Sequence, residues 1–257
     1  MKLTYLFVII LLGLSLFIFS CGGDDDDNDV FDPTDIEGIG DDVADWLVTI
    51  NSNDWTKGNY MIMANYLGSA SDLSASDTVS LKVNDETYPL LMMTLGLYHA
   101  QVTMTAGTSY DVQFIHNGTV KAETTVKTVY HVTADFPETW NPAQSTSFFW
   151  NLSGDNQYQV AGGNSSHEDD FDEYSRSISP SARSFSVPGG QVDLYGPGTY
   201  YILFVDEMNF KVVSRVAFLC WQGDYQNYGG SSFRRSLEEQ HQHGKQLYNL
   251  LLERYAR

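Results

Sequence analysis

The stretch Tyr110-Asp111-Val112-Gln113-Phe114-Ile115-His116-Asn117-Gly118-Thr119 decides the fold. Val112 and Phe114 alternate with Asp111 and Gln113, so one face is apolar and the other polar, the period of a half-buried strand. Asn117-Gly118 then supplies two residues that tolerate positive φ, as a type I′ hairpin turn requires. The returning strand runs from Thr119 to about Val129. The same texture extends outward: Tyr60 to Ala64, then Val79 to Val83 up to Asn84-Asp85, Thr87 to Met93, and Tyr98 to Met104. Short alternating runs broken at close intervals by turn residues predict an all-β sandwich.

The plan repeats. Gly107-Thr108-Ser109-Tyr110 returns 91 residues later as Gly198-Thr199-Tyr200-Tyr201. In both, a Gly-Thr turn enters an aromatic-led strand, followed by a hairpin and a final strand (Thr119 onward; Val212 to Trp221). Two tandem sandwiches are therefore expected, over residues 46–131 and 132–222. Phe148-Phe149-Trp150-Asn151, Arg183 to Pro188, and Gly198 to Leu203 resemble a fibronectin type III or related immunoglobulin-like domain. That resemblance covers about residues 132–222 and implies that Trp150 and Tyr201 are core positions. It is weaker over residues 46–131, where no Trp occupies the equivalent strand. Within the second repeat, Ala161 to Ser179 reads as a longer irregular stretch of the kind that hosts function.

The N-terminus fixes the compartment. Leu3 to Phe19 carries no charge, follows Lys2, and stops at Ser20-Cys21-Gly22-Gly23, the pattern of a secretory signal. Ile18-Phe19-Ser20-Cys21 resembles a bacterial lipoprotein signal, with Phe19 where a smaller residue is usual. The resemblance implies removal of residues 1–20 and a covalent diacylglycerol on Cys21. An uncleaved membrane helix is the alternative. Residues 21–45 hold eleven acids and no Lys or Arg, so mutual repulsion should make them an extended tether, about 25–30 Å long as a flexible chain. An acidic run directly after the lipid Cys resembles an export signal to the cell surface.

Removing the signal takes one Lys and no acid, leaving 13 basic against 33 acidic residues. Such a charge repels phosphate backbones, so nucleic acid is not an expected partner. With Cys21 lipidated, Cys220 has no partner for a disulfide, and its apolar surroundings from Val216 to Trp221 mark it as a buried small hydrophobe.

Residues 223–257 form a linker and a C-terminal helix, the linker reading as the polar, Gly-rich Gln222 to Ser232. Ser236-Leu237-Glu238-Glu239 fits a capping box, and the helix should run to about Tyr255. Leu247, Leu250 and Leu251 make one stripe, widened by Tyr248, Leu252 and Tyr255, which docks on the second sandwich or on a partner. His241 and His243 flank one residue and point to opposite sides of such a helix, so they do not share a metal.

Chemistry-bearing clusters are few. His167, Glu168, Asp169, Asp170 and Asp172 form the densest set of oxygen ligands in the body, a candidate calcium loop or a solvated acidic one. Asp25, Asp27 and Asp29 lack the Gly and closing Glu of a calcium loop. No nucleophile elbow, zinc-protease helix or phosphate loop appears, so no catalytic residue is nominated and no enzyme is expected. The surplus of Tyr and Trp offers Trp221, Tyr225 and Tyr228 as ligand-binding candidates, with Trp55 and Tyr60 as further exposed aromatics. Beyond the lipid and calcium no cofactor is implied. The expectation is a lipid-anchored, non-catalytic outer-membrane protein of a diderm bacterium, displaying binding modules for a glycan or protein. The alternative is a periplasmic scaffold acting through the terminal helix.

Overall fold

The computed structural model describes residues 44–54, 58–167, 170–194 and 199–228, all within one compact unit. The signal, the acidic tether up to residue 43 and the terminal helix lie outside them.

The first seven strands are β1 (Trp46–Asp54), β2 (Asn59–Tyr66), β3 (Val79–Val83), β4 (Glu86–Thr94), β5 (Leu97–Thr103), β6 (Ser109–His116) and β7 (Thr119–Lys127). The second seven are β8 (Val132–Asp135), β9 (Thr146–Leu152), β10 (Tyr158–His167), β11 (Asp170–Ile178), β12 (Ser184–Val187), β13 (Tyr200–Val213) and β14 (Val216–Asn227). In each set the first, second and fifth strands form one layer. The fourth, third, sixth and seventh form the other, giving β1-β2-β5 over β4-β3-β6-β7 and β8-β9-β12 over β11-β10-β13-β14. This is the Greek-key order of an immunoglobulin-like sandwich, used twice. The sixth strands begin at Ser109 and Tyr200, which is the 91-residue spacing of the sequence repeat.

Local chemistry explains the turns. Asn117 and Gly118 take φ of 51° and 71°, as a two-residue hairpin between right-twisted strands demands. The Tyr110 hydroxyl accepts the Thr105 amide (2.7 Å), pinning the entry to β6 much as the tyrosine corner of such sandwiches does. Pro89 sits in β4, at the edge of its layer, where a missing N–H costs no ladder bond.

Each sandwich has its own core. Trp46, on β1, lies against Phe114 and Tyr66 at 5.1 Å and Tyr98 at 6.0 Å, so the first sandwich places its Trp on an outer strand of the layer. The second closes on Phe148, Trp150, Val187, Leu203 and Val205, with Tyr201 packed against them; the expected core roles of Trp150 and Tyr201 hold.

The two sandwiches share a sheet. β14 pairs parallel with β1, Val216 opposite Trp46 through Trp221 opposite Asn51, while pairing antiparallel with β13 along its length. Val216, Phe218 and Cys220 thereby enter the first core. The sharp turn between β13 and β14 uses Ser214 and Arg215 at φ of 49° and 63°, unusual for residues with a Cβ. It is held because the Arg215 carbonyl accepts the Asp45 and Trp46 amides (2.7 and 3.3 Å) and its guanidinium meets Asp45 at 2.7 Å.

Two sequence readings change. Ala161 to Ser179 is an ordered hairpin of β10 and β11, not an irregular loop. Its glycines signal pressure from neighbours: a Cβ on Gly163 would stand 2.5 Å from the Trp140 ring, and one on Gly162 would strike the Tyr174 carbonyl. Gln222 to Asn227 is strand, not linker, because β13 continues to supply its hydrogen bonds.

Candidate functional site

Among the described residues, the most exposed run of apolar side chains arises where β4 changes partner. Glu86 to Leu90 pair with β3, and Leu90 is buried. Beyond it the strand crosses to the other layer, Leu91 facing His99 and Met92 facing Tyr98, with a register shift before Thr94. On a crossing, edge-lying segment neither face is covered. Leu91 is 66% exposed, Met92 44%, Met93 42% and Leu95 42%. Gly96, at φ 88°, then turns the chain into β5. Four neighbouring large apolar side chains in water form a contact surface rather than scattered surface residues, and two methionines give it an adaptable, polarizable face. Sequence reading took this run as an ordinary returning strand. The available signal was its lack of alternation, since Leu90-Leu91-Met92-Met93 has no polar residue.

A groove of about 530 Å³ is lined by residues including His131, Thr133, Trp150, Asn151 and Arg183. Arg183 is paired with Asp155 at 2.6 Å. Burial holds the His131 imidazole below its usual range, so at neutral pH it is an uncharged wall.

The nominated ligand-binding aromatics separate. Trp221 is buried, because its position on β14 points it into an apolar cluster rather than outward; it offers no stacking platform. Tyr228 donates its hydroxyl to the Pro137 carbonyl (2.7 Å) and sets its ring edge-on to Trp140, a fixed structural contact. Tyr225 is exposed. Tyr60 is buried in the first core, so it is not an exposed aromatic, and Trp55 lies outside the described residues.

The acidic set falls on the β10–β11 hairpin. His167 ends β10, Asp170 opens β11 opposite it, and Glu168 and Asp169 lie outside the described residues. Asp172 accepts the Asp193 amide (2.6 Å). Among the described residues no group of three or more His, Cys, Asp or Glu is placed to hold a metal. Cys220 is buried, and burial pushes its thiol up to about 12, which keeps it protonated and unreactive. Cys21 lies outside the described residues.

No family model matches the chain, and no curated protein matches it. Among solved structures it is similar to the FN1-FN3 domains of chicken CNTN1, at 12% identity over 73% of this chain and 64% of that chain, with a TM-score of 0.28. It is also similar to the Yersinia pseudotuberculosis adhesin InvE, at 11% identity over 73% of this chain and 58% of that chain, with a TM-score of 0.22. The chain thus spans less than two thirds of either. The strand order described above, and not these low scores, carries the fold assignment.

Proposed function

We propose that this chain is a non-catalytic binding protein of the bacterial cell envelope, tethered through a lipid on Cys21 and displaying its two sandwiches at the cell surface. The observation that carries the binding role is the exposed apolar run Leu91, Met92, Met93 and Leu95. Such a surface suits the apolar face of a protein partner better than a sugar, which would need hydrogen-bonding groups beside its aromatic contacts. The sequence features at Cys21 and along the acidic tether support the anchoring and its distance from the membrane.

Protease shaving of intact cells tests display. Digestion of the sandwiches while a periplasmic marker survives is the expected result, and protection until lysis would place the protein inside. Binding is tested with the quadruple variant of Leu91, Met92, Met93 and Leu95 to Ser. Purified protein should be retained on immobilised target-cell surface protein and the variant should wash through at unchanged thermal stability. Equal retention of the two would remove this surface from the binding role.

A further inference from the structure

A large apolar cluster occupies the face of the shared sheet that neither sandwich core uses. It comprises Leu47, Val160, Ile202, Phe204, Met208, Phe210, Ala217, Leu219 and Trp221, together with Ala44. Apart from Ala44, every member stands on β10, β13, β14 or β1, which are neighbours in one sheet. The opposite face of these strands is already spent: Val48 and Phe218 fill the first core, Ala161, Leu203 and Val205 the second. Among the described residues no strand of an opposing layer contributes to the cluster, against which Leu67, Tyr158 and Val212 also pack, yet none of its buried members is more than 7% exposed. One layer of strands cannot hide Phe and Trp rings from water by itself, since an apolar sheet face is buried only against another element.

We infer that the C-terminal segment, residues 229–257, is the element that covers this face, with the stripe Leu247, Leu250 and Leu251 against β13 and β14. Three observations select it. β14 ends at Asn227, and the Tyr228 amide bonds the Tyr201 carbonyl at 2.8 Å, so residue 229 leaves from the end of this same sheet with a Gly-rich stretch on which to turn back. From Ile202 to Phe210 the cluster runs about 26 Å along β13, a length that about 17 helical residues cover at about 1.5 Å each, within the span expected for 236–255. Charge is complementary as well: the segment holds five Arg or Lys against three Glu in a strongly acidic chain, and the face carries the buried Asp206, opposite Val160 and Gly223. Residues 34–43, which precede Ala44 in the chain, offer only Ile36, Ile39 and Val43 among four acids. With its stripe docked in this way, the terminal helix has no apolar face left for a scaffold partner.

The test uses the full chain labelled with 5-fluorotryptophan, whose Trp221 resonance is assigned by Trp221→Phe. In Leu250→Glu/Leu251→Glu, the Trp221 resonance should move by more than its linewidth and gain a solvent isotope shift, while that of Trp150, in the second core, stays. An unmoved Trp221 resonance would overturn the inference. So would a Trp221 response confined to Ile36→Glu/Ile39→Glu, which would assign the cover to the N-terminal segment. A Trp221 resonance that changes on dilution, with a dimer by light scattering, would assign it to a second copy. Should the double variant unfold, benzoylphenylalanine at Leu247 of the otherwise native chain decides instead. An intramolecular cross-link to peptides within 202–225 is expected, and cross-links only between chains or to other peptides would overturn it.

Discussion

Glu207 is fully buried, accepting the Asn156 amide at 3.0 Å, with Gln159 opposite it across the β10–β13 pair. Burial pushes its carboxyl up to about 8, despite the lowering pull of those amides. At neutral pH the folded protein therefore holds a proton there that the unfolded chain has released, and this protonated carboxyl can donate to Gln159. Because the folded value lies above the ordinary 4.5, stability falls as pH rises from about 4.5 to about 8, by up to roughly 1 kcal/mol per unit. Glu207→Gln keeps the shape and the Asn156 hydrogen bond without the titration. It should flatten that slope and raise stability at pH 8 by about 2–4 kcal/mol, read from urea unfolding at pH 5, 6.5 and 8. His131, held low by burial, contributes in the opposite sense below about 6.5, equally in both proteins, so the difference between them isolates Glu207. A second residue-scale expectation concerns Gly163. Gly163→Ala drives a methyl group into the Trp140 ring and should lower stability by about 1–3 kcal/mol; an unchanged melting temperature would show that Trp140 moves aside freely.

At the scale of the element, β14 belongs to two apolar clusters, the first core on one face and the sheet's other face opposite it. Phe218 is 1% exposed within the first sandwich although its strand is the last of the second. Phe218→Ala should cost about 3–5 kcal/mol and lower a single calorimetric transition, since losing it loosens the sheet that both sandwiches share. An early separate transition for the first sandwich alone would contradict this. The same strand shows how far sequence reading reaches. A final strand was legible, read as Val212 to Trp221 although Val212 and Val213 end β13, and Cys220 as a buried residue, because an apolar run between turns can be little else. Its neighbour β1 was not legible, since strand pairing is a backbone property that leaves no mark on either side chain pattern. Trp221 was misplaced for a related reason: in a run apolar on both faces, periodicity does not say which neighbours lie beyond the sheet.

Across the whole molecule, the shared sheet joins the two sandwiches of the described residues into one unit and closes the open edge of β1. Residues 44–131 expressed alone should expose that edge and self-associate, and chromatography showing a stable monomer would overturn this. The tether makes its own prediction. Cys21→Ser should leave the signal attached and abolish lipid-dependent partition into detergent, whereas unchanged processing and partition would identify an uncleaved membrane helix. The exposed Leu91 to Leu95 run also belongs at this scale. Leu91 to Met93 read as part of a returning strand, and only the crossing of β4 between layers left them in water.

By itself, the sequence determined the local outcomes: the alternation that makes strands, the Asn-Gly turn and the 91-residue repeat. These follow from side-chain period and turn chemistry, which act over a few residues. The tertiary structure decided the parallel seam between β1 and β14, the proton on Glu207, the burial of Trp221 and the exposure of Leu91 to Leu95. Each depends on which distant segments meet, and free energies of burial and desolvation are set by those neighbours rather than by the residue alone.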